Sequence, residues 1–351
     1  MESLNSIIEQ INNDDRCLFL AYMGNNLEYI SINAFVNKLH DEDGYESFSG
    51  IVVNLRNDPN YGHTFADDSF RFPSFANIKV IHLSDNASDG TKKEKLVRLC
   101  NLVKKVIRNK RKSPLFVISS SANFHAVAKM ICETDRCVVH VFTIGGAYYA
   151  PGLKWALDGA KDFFLRVMER VLVRTIVFRP FSYGIGMKRN LDIEHFFKKA
   201  TENEHLNLIH TDKNEKYIIY ISQNSVYEQY IDIVRETLEN EKKKGYKIYI
   251  KPHSHERTPY YPKSDDYCVL PLSYAIESIV AGASRKPDKI ISVASTALFT
   301  CSAWFDVPCY SIANLISTAK LSKEELSCFK EFYKLVRGDE YPLLQFYGGK
   351  Q

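Results

Sequence analysis

The chain has 351 residues, which is enough for two domains of ordinary size. Hydrophobic residues make up 45% of it, a content that is typical of packed cores and that excludes a disordered or fibrous protein. Its 46 Lys and Arg residues against 42 Asp and Glu residues leave a net charge of +4, too small and dispersed to indicate nucleic-acid binding.

Short apolar runs that are typical of buried strands recur through the first half. They lie at Cys17–Tyr22, Gly50–Leu55, Ile78–Leu83, Leu115–Ser119 and Cys137–Ile144. Segments with helical spacing lie between them, at Leu27–Leu39, Lys92–Arg108 and Ser121–Cys132. Because strands alternate with helices, the first half predicts a parallel sheet that is covered on both faces.

The middle of the chain changes character. Lys154–Val177 has the pattern of one long helix, and Pro180, Gly184 and Gly186 then break it. The following stretch is polar and rich in charge. We therefore predict an N-terminal domain over 1–188, a linker over 189–215 and a C-terminal domain over 216–351.

The second half repeats the alternation. Predicted strands lie at Lys216–Ser222, Tyr246–Lys251, Tyr267–Leu270, Lys289–Val293 and Val307–Ile312. Predicted helices lie at Val226–Lys244, Tyr274–Gly282, Thr296–Phe305 and Lys323–Val336. Two such halves predict an α/β protein with two Rossmann-like domains that face a central cleft.

The segment Lys251-Pro252-His253 ends a predicted strand. Pro252 stops the strand because it lacks the amide hydrogen that a ladder needs. His253 is then delivered at the carboxyl end of the strand, where α/β sheets bind ligands. A histidine there can hydrogen-bond or protonate a phosphate oxygen, and Lys251 supplies a positive charge. The alternative is a solvated histidine in a turn.

Two further segments place polar groups at neighbouring strand ends. The strand that contains Ser292 runs into Ser295 and Thr296, which are predicted to begin a helix whose free amides and hydroxyls can bind phosphate. Glu277 lies in the first turn of another predicted helix. It either accepts hydrogen bonds from the two hydroxyls of a ribose or interacts with the positive end of the helix dipole.

Together these motifs resemble the C-terminal domain of bacterial sialyltransferases of the lipooligosaccharide and capsule type. The resemblance covers Tyr217–Ile312 and follows one order: a strand ending in Lys-Pro-His, a proline followed by Glu277, and a strand leading to Ser295 and Thr296. The histidine of that family usually stands in a His-Pro pair, whereas this chain has Ser254 after His253.

The resemblance implies a GT-B fold and an inverting, metal-independent transfer of sialic acid, or a related nonulosonic acid, from a CMP donor. It implies that His253 binds or protonates the donor phosphate, that Ser295 and Thr296 hold the same phosphate, and that Glu277 holds the ribose. Lys251, Gln223 and Ser292, at neighbouring strand ends, complete the predicted donor site.

The catalytic base has two candidates. Glu228 is predicted in the first helical turn after the first C-terminal strand, on the same cleft edge, where it can accept the proton of the acceptor hydroxyl. Asp43 lies in Glu42-Asp43-Gly44, which matches in sequence an acidic motif of the family's N-terminal domain. Glu228 is the first choice and Asp43 the second.

The predicted function is therefore that of a glycosyltransferase acting on a cell-surface glycan. A Kdo transferase and a CDP-glycerol glycerophosphotransferase are alternatives of the same architecture. A catalytically silent protein that binds nucleotides or glycans is the alternative from another class. No cofactor and no metal are expected, because the CMP-sugar is itself the donor substrate.

Location and partners follow from simpler features. The polar stretch 1–15 lacks the pattern of a signal peptide, and the eight cysteines contain no CxxC pair, so we expect reduced thiols and a cytoplasmic protein. The basic run at 104–112 is a solvated face, or else it contacts the inner face of the membrane where a lipid-linked acceptor resides. The expected partners are a nucleotide sugar and a glycan acceptor, without nucleic acid.

Overall fold

The computed structural model describes thirteen stretches of the chain, and every structural statement below refers to them. They are 17–23, 26–54, 71–82, 115–119, 138–142, 174–178, 181–182, 188–202, 206–212, 214–223, 230–253, 267–317 and 323–349. They form two compact units. Unit 1 takes the described residues up to 142, 174–178 and 190–202, and unit 2 takes the remainder.

Unit 1 is built on a sheet of six parallel strands. They are β1 Cys17–Met23, β2 Phe48–Asn54, β3 Ala76–His82, β4 Leu115–Ser119, β5 Val138–Phe142 and β6 Arg174–Val177. Their order across the sheet is β3-β2-β1-β4-β5-β6. The strand order therefore runs outward from β1, and it reverses between β1 and β4, as in Rossmann folds.

Two helices of unit 1 pack against each other, α1 Asn26–Asp41 and α2 Leu191–Glu202. Phe178, directly after β6, links them: its ring centroid lies 5.2 Å from that of Phe35 on α1 and 5.3 Å from that of Phe197 on α2. All three rings are fully buried. Helix α2 lies within the stretch 189–215 that the sequence assigned to a linker.

The prediction of one helix over Lys154–Val177 is wrong at its end. Arg174–Val177 forms β6, which pairs in parallel with β5 through Val139 and Arg174. A short apolar run fits the spacing of a helix and of a strand equally well. Here the segment pairs with the edge of β5, and this pairing makes it a strand. The predicted helices Lys92–Arg108 and Ser121–Cys132 lie outside the described residues.

Unit 2 repeats the strand order of unit 1. Its strands are β9 Tyr217–Ile221, β10 Lys247–Lys251, β11 Tyr267–Val269, β12 Lys289–Ser292, β13 Cys309–Ser311 and β14 Leu344–Phe346. They are all parallel and lie in the order β11-β10-β9-β12-β13-β14. A separate antiparallel pair, β7 Phe181–Ser182 and β8 Lys188–Arg189, also belongs to unit 2.

The described α-helices of unit 2 differ in how far they are buried. They are α3 Ile231–Lys243, α4 Ile276–Gly282, α5 Ala297–Phe305 and α6 Lys323–Val336. Helix α3 is amphipathic, since its buried residues Val234, Thr237, Leu238 and Glu241 recur at helical spacing. Helix α5 is buried on almost every side and ends at Phe305, because Asp306 adopts a left-handed conformation with φ 54°. Among the described residues, no helix has the length and apolarity that would let it cross a membrane.

Candidate functional site

The carboxyl ends of the unit 2 strands bring polar side chains into one row. Ile221 pairs with Lys251 on one side and with Ser292 on the other, and Ser292 pairs with Ser311. Residues that pair in parallel register point to the same face of a sheet. Lys251, Ser292 and Ser311 therefore share one face at the carboxyl edge of the sheet, where α/β folds bind ligands.

Gln223 ties β9 to β12 at the point where the strand order reverses. Its side-chain amide donates to the hydroxyl of Ser292 at 3.0 Å and to the carbonyl of Ser222 at 3.2 Å. The Ser292 hydroxyl in turn donates to the carbonyl of Ile221 at 2.8 Å. Gln223 and Ser292 are both buried, so this network fixes the floor of the crevice between the two central strands.

Lys251 is a cation at the buried end of β10. The residue is only 7% exposed, and its ammonium lies 3.5 Å from the carbonyls of Pro252 and Leu272. The structure thus confines a positive charge to the carboxyl edge. His253 follows two residues later and is half-buried. The prediction that both residues occupy this strand end is confirmed by the bounds of β10.

Ser295 and Thr296 precede α5, as the sequence predicts. The hydroxyl of Ser295 accepts a hydrogen bond from the Ala297 amide at 3.2 Å, whereas Thr296 already has helical backbone angles and makes no side-chain cap bond to a described residue. The Leu298 and Phe299 amides donate to the carbonyls of Ser295 and Thr296. Both side chains are half-buried, so a ligand would meet their hydroxyls rather than a row of free amides.

Glu277 is a buried carboxylate. It is 6% exposed at the start of α4, and its Oε1 accepts a hydrogen bond from the hydroxyl of Thr300 on α5 at 2.6 Å. Burial raises the pKa of the Glu277 carboxyl, and the Thr300 bond and the Lys251 charge oppose that rise only in part.

Of the two candidate bases, Asp43 is the one that the structure describes. Asp43 is exposed in the turn after α1, where both of its oxygens lie 3.0 Å from the Lys38 ammonium. That turn leads into the amino end of β2, which is the edge of the unit 1 sheet opposite to the carboxyl ends. Glu228 lies outside the described residues, and so does the basic run at 104–112.

One cavity of unit 2 lies at the opposite edge of its sheet. Its volume is about 320 Å³, and its lining is polar. It is lined by Asn207, Ile209, His210, Thr211, Asp212, Glu215, Lys247 and Ser284. Because Glu215 precedes β9 and Lys247 begins β10, this cavity is at the amino edge and is not part of the predicted donor site.

Sequence reasoning missed Thr300 and Ser311. The Ser311 hydroxyl donates to the carbonyl of Val293 at 2.5 Å and accepts from the Ala313 amide at 3.1 Å, which fixes the loop after β12. A hydroxyl at the end of a predicted strand is a signal that would have found Ser311. Thr300 lies inside an apolar helix, and its partner Glu277 is far away in sequence, so no local pattern indicates it.

Comparison with known proteins identifies the fold. No protein-family model and no curated protein matches the chain. UDP-GlcNAc 2-epimerase from Methanocaldococcus jannaschii matches in structure with a TM-score of 0.51 at 12% identity, over 93% of this chain and 96% of that one. UDP-GlcNAc 2-epimerase from Neisseria meningitidis, solved with UDP-GlcNAc bound, matches with a TM-score of 0.49 at 13% identity over 92% of each chain.

A sialyltransferase from Photobacterium damsela also matches, with a TM-score of 0.48 at 11% identity, over 95% of this chain and 82% of that one. At such identities the similarity is one of fold. The two parallel sheets with the same strand order, together with the first of these matches, give an α/β protein with two Rossmann-like units of the GT-B type.

Proposed function

We propose that the chain is an inverting, metal-independent glycosyltransferase that moves sialic acid, or a related nonulosonic acid, from a CMP donor to a cell-surface glycan. The proposal depends chiefly on one observation. Lys251, His253, Gln223, Ser292, Ser295 and Thr296 all lie at the carboxyl ends of β9, β10 and β12, where the strand order of unit 2 reverses. This is the position at which Rossmann-like units bind nucleotides.

The chemistry of these groups suits a departing nucleotide. In the proposed step the acceptor hydroxyl attacks the anomeric carbon, and the bond from that carbon to the CMP phosphate breaks with its electron pair leaving on the phosphate oxygen. Lys251 and the hydroxyls of Ser295 and Thr296 stabilise the growing negative charge. His253 donates a hydrogen bond or a proton to the phosphate oxygen as it leaves.

The proton of the acceptor hydroxyl requires a base on the other side of the sugar. We propose Glu228 for this role because the sequence predicts it in the first helical turn after β9. Asp43 is the second choice. The ion pair between Asp43 and Lys38 holds that carboxylate at the amino edge of the unit 1 sheet, which favours Glu228.

The test is nucleotide binding followed by donor hydrolysis. We expect CMP to raise the melting temperature more than equal concentrations of CDP, UDP or GDP, because a ligand that binds only the native state stabilises it. We expect release of CMP from CMP-sialic acid, and a loss of roughly a hundredfold or more in that rate for His253→Ala, as for removal of a general acid.

Three other results would each contradict the proposal in a different way. A preference for UDP would indicate a UDP-sugar enzyme, which is what the epimerases of the same fold are. CMP binding without turnover on any acceptor would indicate a silent binding protein. Turnover of CMP-Kdo or CDP-glycerol, but not of CMP-sialic acid, would identify one of the related transferases. As a control for His253→Ala, His210→Ala alters an exposed histidine at the other edge of the same sheet.

A further inference from the structure

We propose that Thr300 is a positioning residue of the donor site. Through its hydrogen bond to Glu277 it holds helix α4 against helix α5, and so it fixes both the Glu277 carboxyl and the start of α5. The inference rests on the proposed function, since it assigns to Thr300 an effect on donor binding. Thr300 itself touches no donor atom in this proposal.

The contact joins two helices at the ends that face the site. Glu277 is the second residue of α4, and Thr300 is the fourth residue of α5. The distance between the Thr300 hydroxyl and Glu277 Oε1 is 2.6 Å, and Thr300 is fully buried. Hydrogen bonds to a carboxylate at this distance are among the stronger ones in proteins. Thr300 lies one helical turn after Thr296, so a shift of Thr300 carries the start of α5 with it.

The Thr300 hydroxyl has two acceptors and one proton. Besides Glu277 Oε1 at 2.6 Å it faces the carbonyl of Ala297 at 3.2 Å. When Glu277 is ionised, Thr300 donates to it. When Glu277 is protonated, the carboxyl donates to Thr300, which then donates to Ala297. The link between the helices is therefore kept in both protonation states of Glu277.

The same link orients Glu277 toward the rest of the site. The positive charge of Lys251 acts on the Glu277 carboxyl from the end of β10, on the face of the sheet that also carries Ser292. With Oε1 bound to Thr300, Oε2 is the oxygen that can meet a ribose hydroxyl. Removing the Thr300 hydroxyl removes the bond that holds the carboxyl from α5, and donor binding then has to orient the carboxyl without it.

The experiment compares two replacements of Thr300 by calorimetric titration with CMP. Thr300→Val keeps the shape and removes the hydroxyl, and we expect its Kd to rise roughly tenfold, the ratio that corresponds to losing one buried hydrogen bond. Thr300→Ser keeps the hydroxyl and should recover most of the affinity. Thr237→Val is the matched control, because Thr237 is a buried threonine of α3 whose hydroxyl donates to the Ile233 carbonyl of its own helix.

A double-mutant cycle with Glu277→Ala makes the test independent of general destabilisation. If Thr300 acts through Glu277, adding Thr300→Val to Glu277→Ala has no further effect on the Kd for CMP. Additive effects, or an unchanged Kd in Thr300→Val while the wild type binds CMP, would overturn the positioning role and leave the proposed function intact. Failure of the wild type to bind CMP would overturn the proposed function and this role with it.

Discussion

Glu241 shows how a single carboxylate can be held charged inside unit 2. It is fully buried on α3, with the Lys289 ammonium at 2.5 Å, the Lys244 ammonium at 2.9 Å and the Tyr347 hydroxyl donating to it at 2.5 Å. Burial alone would raise the pKa of Glu241, but these three partners outweigh it, so the pKa is lowered. The carboxylate therefore joins α3, β12 and the end of the chain after β14.

We expect Glu241→Gln to lower the free energy of unfolding by about 3 kcal/mol, because it leaves the Lys289 charge without its partner in a mostly buried place. Urea unfolding at neutral pH measures this. The control is Lys244→Ala, which removes a partner whose side chain is 57% exposed and should cost less than about 1 kcal/mol. Equal losses in the two variants would show that Lys289 does not depend on Glu241.

The same group predicts a pH dependence. The pKa of Glu241 in the folded state lies below its ordinary value of 4.5. The stabilisation of the fold by its carboxylate is therefore complete above that pH and is lost as the pH falls through the lowered pKa. The urea midpoint of the wild type should therefore fall in this acid range more steeply than that of Glu241→Gln. Parallel curves for the two proteins would contradict this assignment.

At the scale of elements, Gly282 marks a close approach of a helix to another segment of unit 2. It is the last residue of α4, and a β-carbon built on it would lie 1.8 Å from the carbonyl oxygen of Leu206. A backbone atom cannot swing aside as a side chain can. Only glycine therefore lets the end of α4 pack directly on the segment that precedes β9.

We expect Gly282→Ala to destabilise the protein by about 2 kcal/mol, since it forces two backbones apart. Gly338→Ala is the control: its nearest backbone atoms would lie at 3.5 Å, an ordinary contact, and its φ is not positive. Thermal unfolding of both variants gives the comparison. A melting temperature of Gly282→Ala equal to that of the wild type would mean that the helix end shifts at no cost.

The elements of unit 2 were largely predictable because their apolar runs are continuous and bounded by turn residues. β9, β10 and β12 agree with the predicted strands to within a residue or two at each end. β14 was missed, since three residues with an exposed Gln345 carry no period. Helix α2 was missed although Phe196, Phe197 and Ala200 form a buried stripe, because its many charged residues dominate the composition.

The parts of the site that depend on contacts between residues far apart in sequence could not be predicted. The sequence identifies Lys251, His253, Ser295 and Thr296 because strand ends in a parallel sheet gather at one edge. It does not reveal that Glu277 is bonded to Thr300, since that contact depends on the packing of α4 against α5. Burial of a carboxylate is a tertiary property, and an isolated Glu in a first helical turn looks the same in either environment.

At the scale of the whole molecule, unit 2 has its own six-stranded sheet and its own core. Of the described residues of unit 2, the fragment 204–351 lacks the strand pair β7–β8, whose Arg189 donates to the Ala303 carbonyl at 3.1 Å and to Glu340 at 2.9 Å. We expect this fragment to fold in one cooperative transition. Its free energy of unfolding should be about 1 to 2 kcal/mol lower than that of unit 2 in the whole chain, because the two bonds of Arg189 are lost. Circular dichroism during heating tests this expectation.

A longer fragment supplies the control for that experiment. Residues 189–351 add helix α2, whose buried face of Phe196, Phe197 and Ala200 belongs to unit 1. Without α1 to cover it, that face is exposed, so this fragment should be the more prone to aggregate. If the longer fragment were instead the better behaved of the two, α2 would have to contribute to unit 2.

The chain order of α2 has a consequence for synthesis on the ribosome. Phe178 is covered in unit 1 only when α2 packs against it. Helix α2 is translated after β7 and β8, which belong to unit 2. Until then Phe35 and Phe178 lack their cover, even though the six strands of unit 1 have all been translated. The N-terminal half therefore cannot finish folding before the ribosome has begun the C-terminal half. A nascent chain stalled before residue 190 should be held by chaperones for longer than one stalled beyond α2.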